Sequence, residues 1–141
     1  MIRIPVIVIC SFLMAALSEA QPMERQFVYE QTTGKLSLDG KVIGIGYSGK
    51  GDGKNNPTKE KQQNVGPIPQ GMYKLGGPRK WKGMPNVFDL VPNGHDAHGR
   101  TEFLIHGDSK QNPGNASEGC IILPVEIRKQ IADIPTIRRH T

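Results

Sequence analysis

Apolar residues along this chain come in short runs separated by polar, glycine-rich stretches. The one long run, Ile4 to Leu17, is broken only by Pro5 and Ser11. After it, Gln26 to Gln31 (QFVYEQ) and Lys35 to Leu38 (KLSL) read as strands joined at Thr32-Thr33-Gly34. Asp39-Gly40 is a strong hairpin signal, and Lys41 to Tyr47 (KVIGIGY) continues as a third strand, making a meander. Ser48 to Val65 is polar and predicts an exposed loop, long enough for a small domain to suggest a functional or mobile segment. Gly66 to Gly71 carries Pro67 and Pro69, which remove two N–H donors and confine the segment to a sheet border before Met72 to Leu75. Asn86 to Val91 and Thr101 to Ile105 predict further strands across the turn-rich Pro92 to Arg100. Cys120 to Leu123 is a short buried run. Pro124 then starts one helix reaching about Asp133, with Val125, Ile127, Ile131 and Ile134 on its apolar side. The sum is a mainly β domain with one short C-terminal helix.

Composition agrees with this punctuated pattern. The 141 residues include 17 Gly and 11 Pro, together about a fifth of the chain against a usual share of about 12%. Hydrophobic residues make 36% and aromatics 6%, which supports one modest core and a single domain.

The N-terminal run changes how the chain divides. Met1-Ile2-Arg3 gives a short positive start, the apolar stretch follows, and Ser18-Glu19-Ala20 places small residues three and one positions before Gln21. This layout predicts a secretory leader cut after Ala20, with residues 21–141 as the domain. A membrane anchor fits less well, since the run falls short of the ~20 residues a bilayer requires. Cleavage removes one base and one acid, so the net charge stays at +5. It also removes Cys10 and leaves Cys120 as the only thiol. In an exported chain a lone thiol is either buried structurally or reactive, and the count alone leaves both readings open. The basic residues are scattered and form no nucleic-acid motif.

The neighbours of Cys120 favour chemistry. Phe103-Leu104-Ile105 ends in His106-Gly107-Asp108, a polar loop follows, and Gly119-Cys120 opens the next apolar run. Both side chains then stand at strand ends on the rim of one sheet. A free thiol has a pKa of about 8.5, and a neighbouring imidazolium would lower it. The N–H groups of Gly119 and Cys120 are placed to meet an oxyanion. A histidine satisfied by a backbone carbonyl and a packed thiol are the plain alternatives.

These segments carry a resemblance. His106-Gly107 followed by Ser117-Glu118-Gly119-Cys120-Ile121 resembles the signature of the L,D-transpeptidase catalytic domain. The closer similarity is to L,D-transpeptidase-like antibacterial effectors of type VI secretion. It runs through Gly46-Tyr47-Ser48-Gly49, Asn55-Asn56-Pro57, Asn64 to Pro69, Ile105 to Asp108 and Ala116 to Pro124. The resemblance implies an L,D-transpeptidase-like β-sandwich acting on peptidoglycan stem peptides, with Cys120 as nucleophile and His106 as base. Cys120 would attack the carbonyl of the third stem residue and expel the terminal D-alanine. The thioester would pass to water or to an amine, in transpeptidation or D-amino acid exchange. No metal or other cofactor is implied. The implied partners are the stem peptides and a cognate immunity protein. The implied location is the periplasm, of the producing cell by its leader or of a target cell by secretion. Gly107, Asp108, Ser117, Gly119 and Tyr47 are carried over as oxyanion or substrate-binding residues. Two positions depart from the broader pattern: Glu118 stands where many members have histidine, and Ile122 where many have arginine.

The remaining candidates are weaker. His95 and His98 lack the helical four-residue spacing of a catalytic zinc pair and read as loop residues. Asn115-Ala116-Ser117 matches a glycosylation acceptor that matters only in a eukaryotic secretory route. Tyr47 and Trp81 read as groove or core aromatics. A papain-like peptidase would place its cysteine before its histidine, the reverse of the order here. A non-catalytic wall-binding module is the other reading.

Overall fold

The computed structural model describes residues 4–9 and 25–135. The ten strands are β1 (Pro5–Ile9), β2 (Phe27–Glu30), β3 (Lys35–Leu38), β4 (Lys41–Ile45), β5 (Tyr47–Ser48), β6 (Gly71–Leu75), β7 (Arg79–Trp81), β8 (Met84–Asn93), β9 (Phe103–His106) and β10 (Ile121–Ile122). One α-helix, α1 (Val125–Ala132), follows, with Pro124 at its N-cap. The domain is therefore mainly β with, among the described residues, one α-helix near the C-terminus, as the hydrophobic pattern predicts.

The strands join in one mixed sheet ordered β4-β3-β2-β1-β6-β8-β9-β10-β5, with β7 paired to β8 alone. The ends of that path, β4 and β5, are consecutive in the chain and separated only by Gly46. The sheet must therefore curl until its two edges meet. Gly46 makes the meeting tolerable, because a Cβ there would collide with the carbonyl oxygen of Ile122 in β10. The rolled sheet encloses a core built from Phe27, Tyr29, Leu36, Tyr73, Phe88 and Ile105, closed by Leu123 and Ile131 at the helix.

The predicted strand over 41–47 thus breaks in two at Gly46, and each piece serves a different edge. The loop after it is ordered rather than loose. Two 3-10 turns, Gly51–Gly53 and Pro57–Lys59, shape it, and the Asn56 side chain accepts from the Thr58 N–H at 3.1 Å. The β7–β8 hairpin had no counterpart in the pattern. Its turn, Lys82-Gly83, lacks the Asn-Gly or Asp-Gly signal that marked the Asp39-Gly40 turn.

The N-terminal run takes a definite place in the sheet. β1 lies parallel to β2 and antiparallel to β6, hydrogen-bonded on both sides. Val6 and Val8 enter the main core, while Ile7 and Ile9 pack with Val28 and Met72 on the opposite face. A strand buried on both faces reads as an unbroken apolar run, the same signal a leader gives. Removal of a leader and retention of β1 are thus alternative fates of the same residues. The cleavage position at Ala20, and Cys10, lie outside the described residues.

A chain lacking residues 1–20 would forfeit five buried side chains, Ile4, Val6, Ile7, Val8 and Ile9, worth about 8–15 kcal/mol, comparable with a whole domain's stability of about 5–15 kcal/mol. Thermal unfolding of that truncated chain is expected to show no cooperative transition near that of the full chain. An unchanged Tm would mean that β2 and β6 pair directly and β1 is dispensable. Intact-mass measurement on the protein recovered from cells reports which form exists.

Candidate active site

Pairing of β9 with β10 sets the geometry. The two strands are parallel, with Ile105 opposite Ile121 and His106 opposite Ile122. Because side chains alternate across a strand, Ile105 and Ile121 enter the core while His106 and Cys120 share the other face. Continuing the register places Cys120 beside Leu104, two residues back from His106. Neighbouring strands about 4.8 Å apart and two residues of rise put the two Cα atoms about 8 Å apart, within reach of an imidazole and a thiol leaning toward one another. Both line one cleft of about 640 Å³, shared with Trp81, Lys82, Glu102 and Glu118.

His106 is buried, and its Nδ1 lies 2.7 Å from the Gly107 carbonyl oxygen. A carbonyl only accepts, so Nδ1 carries the proton and Nε2 is left with its lone pair. The Trp81 ring lies against the imidazole with centroids 4.9 Å apart. Burial holds the His106 pKa below its ordinary value; the Gly107 bond opposes this, and the charges of Arg128 and Lys82 add to it. The histidine is therefore neutral at pH 7 and ready to accept a proton.

Cys120 departs from the sequence expectation. Burial pushes its thiol up to about 11; a backbone hydrogen bond from Leu104 and the charge of Arg100 only partly offset that, and Glu118 and Glu102 add to it. The resting thiol is neutral and donates to the Glu102 carbonyl at 3.8 Å. No imidazolium stands beside it to pull its pKa down, because the same burial keeps His106 uncharged. The resting pair is neutral thiol and neutral base, not an ion pair.

Several residues carried over for binding turn out to brace the loop that joins His106 to Cys120. Ser117 is fully buried; its hydroxyl donates to the Cys120 carbonyl at 2.6 Å and accepts from the N–H groups of Gly49 at 2.8 Å and Gly119 at 3.2 Å. The Gly119 N–H thereby has a partner within the loop. Gly119 has φ 134°, and a Cβ there would meet the Arg100 guanidinium at 2.5 Å, so only glycine fits before Cys120. Asp108 bonds the Tyr47 hydroxyl at 2.6 Å and the N–H groups of Ser109 and Gly114, and makes no hydrogen bond to His106. The Tyr47 hydroxyl in turn accepts from the Ala116 N–H at 2.9 Å. Tyr47 and Asp108 line a second, larger hollow beside Gly107 rather than the thiol cleft. Gly107 admits Arg128, whose Nη2 would lie 2.8 Å from a Cβ at that position.

Sequence reading missed two arginines. Arg100 is buried and donates to the carbonyls of Glu60, Gly66, Pro67 and Glu118 at 2.6–3.0 Å. Arg128 in α1 donates to Leu123, Pro85 and Asn86. Each looks like a surface charge in the sequence; no local signal marks a guanidinium that serves distant carbonyls. His95 bonds the Met72 carbonyl and His98 pairs with Glu60 at 2.8 Å. No group of three or more His, Cys, Asp or Glu able to hold a metal occurs among the described residues.

The mainly β domain thus faces the one free cysteine among the described residues and a Nδ1-protonated histidine into one cleft. Residues 44–138 match the Tlde1 domain, and the chain belongs to that family, the L,D-transpeptidase-like effectors of type VI secretion. Neither a curated protein nor a solved structure matches the chain.

The neutral pair makes a kinetic prediction. Alkylation of Cys120 by iodoacetamide is expected to accelerate about tenfold per pH unit from pH 7 toward the thiol pKa near 11, because only the thiolate reacts. A rate already flat from pH 5 upward would reveal a preformed ion pair instead.

Proposed function

We propose that this protein is an L,D-carboxypeptidase of peptidoglycan stem peptides that also exchanges the released D-amino acid, working through a Cys120 thioester. Membership of the Tlde1 family supports a cell-wall substrate. The observation that carries the chemistry is the shared outer face of His106 and Cys120 beside a Nδ1-protonated imidazole.

Cys120 Sγ gives its proton to His106 Nε2 as the sulfur bonds to the carbonyl carbon of the third stem residue. The C–N bond to the terminal D-alanine then breaks, and the imidazolium returns the proton to the departing amine. Water or a second amine next attacks the thioester with His106 again as base. The C–S bond breaks, and the sulfur recovers a proton from the imidazolium. Moving a proton within a neutral pair avoids holding an imidazolium in a buried site, which burial disfavours. The requirement for a neutral base sets the acid limb of kcat/KM below the ordinary histidine value of about 6.5; activity is present above it and lost as pH falls through it.

The place of work is the periplasm, where the substrate lies, and an effector with this activity calls for an immunity protein in its producer. Delivery by a secretion machine would leave β1 in the sheet, whereas processing of a leader would remove it.

Incubation with purified tetrapeptide muropeptides and mass analysis tests the reading. The expected product has lost one D-alanine, and added D-methionine gives the exchanged species. Cys120→Ala and His106→Ala should each lower turnover by at least about a hundredfold. Cleavage at another bond, or turnover that survives Cys120→Ala, would refute the proposal.

A further inference from the structure

We propose that Lys82, at the tip of the β7–β8 hairpin, receives the carboxylate of the departing D-amino acid and so fixes the direction in which a stem peptide lies. This rests on the stem-peptide reading above. The leaving amine must sit against the imidazole that protonates it, so the carboxylate one carbon away lies on the His106 side of the cleft. On that side Trp81 packs against His106 with the two rings tilted at 42°, and the Lys82 ammonium stands 4.6 Å over the Trp81 ring.

The other cations near the cleft are committed. Arg79 is bound through two nitrogens to Asp89 at 2.8 and 2.9 Å, and Lys50 is paired with Glu118 at 3.1 Å. Arg100 is consumed by four backbone carbonyls. Lys82 has no ion pair among the described residues. It is also an unusual residue for its backbone: with φ 49° ahead of Gly83 at 77°, it holds a left-handed turn position that favours Asn or Gly. A lysine kept there at a conformational cost points to its side chain. At the thiol end of the cleft stand Glu102 and Glu118, which repel a carboxylate and leave one orientation open.

The test measures binding in the Cys120→Ala background, so that turnover does not intervene. Synthetic stem tetrapeptides ending in a free carboxylate or a carboxamide are titrated against proteins carrying Lys82, Lys82→Asn or Lys82→Arg. Asn suits the turn, so the first variant removes charge without disturbing the hairpin. The carboxylate peptide is expected to bind about fivefold tighter than the amide, the scale of an exposed ion pair. Lys82→Asn should erase that preference by weakening the carboxylate peptide alone, Lys82→Arg should restore it, and added salt should shrink it. A preference unchanged in Lys82→Asn, or equal weakening of both peptides, overturns the assignment. Failure of both peptides to bind the Lys82 protein overturns it together with the stem-peptide reading. A Lys82-dependent preference in a protein that releases no D-alanine would leave the assignment standing and refute the activity.

Discussion

Arg100 keeps a full charge almost out of water, and the site depends on how that charge is satisfied. A buried guanidinium is costly unless its donors are met. Here two nitrogens meet carbonyls of Glu60, Gly66, Pro67 and Glu118. Three of these belong to the segment leading into β6, and the fourth lies two residues before the nucleophile. One side chain thus fastens the rigid proline turn to the cysteine loop. It also explains Gly119, since any Cβ would occupy the space the guanidinium needs. Loss of the arginine would leave four carbonyls to find other partners and release the approach to Cys120.

Ser117 completes that support from the other side. Its hydroxyl links Gly49, Gly119 and the Cys120 carbonyl, so the nucleophile is clamped between a buried arginine and a buried hydroxyl. Tyr47 and Asp108 brace the far half of the same loop through Ala116 and Gly114. The stretch from His106 to Cys120 is polar and rich in turns, yet hydrogen bonds within it and to β5 hold both ends in place. Such fixing lets two groups from different strands keep one relation without touching at rest.

Much of this fold was legible because its apolar runs are short and several of its turns use strong residues. β3 and α1 fall where the apolar pattern puts them, and the Asp39-Gly40 hairpin follows from its turn. His106 and Cys120 stood out as candidates because a strand-end histidine and a cysteine opening the next apolar run bracket one polar loop. What failed to show has a physical reason in each case. The β7–β8 hairpin turns on Lys82-Gly83, whose lysine disguises the turn. Arg100 and Arg128 act through backbone carbonyls far away in sequence, which leaves no local trace. Val6 to Ile9 is a run of β-branched residues, and hydrophobicity alone does not separate a membrane-directed leader from a strand buried on both faces.

The alternation of a β-strand also explains why chemistry and core coexist on such a small domain. Ile105 and Ile121 secure the pairing of β9 and β10 from inside, so His106 and Cys120 need contribute nothing to packing. Their face is instead closed by Trp81 and the loop, which exclude enough water to keep imidazole and thiol both neutral. The same enclosure that keeps the Cys120 thiol protonated leaves His106 Nε2 with its lone pair on the same face of the sheet.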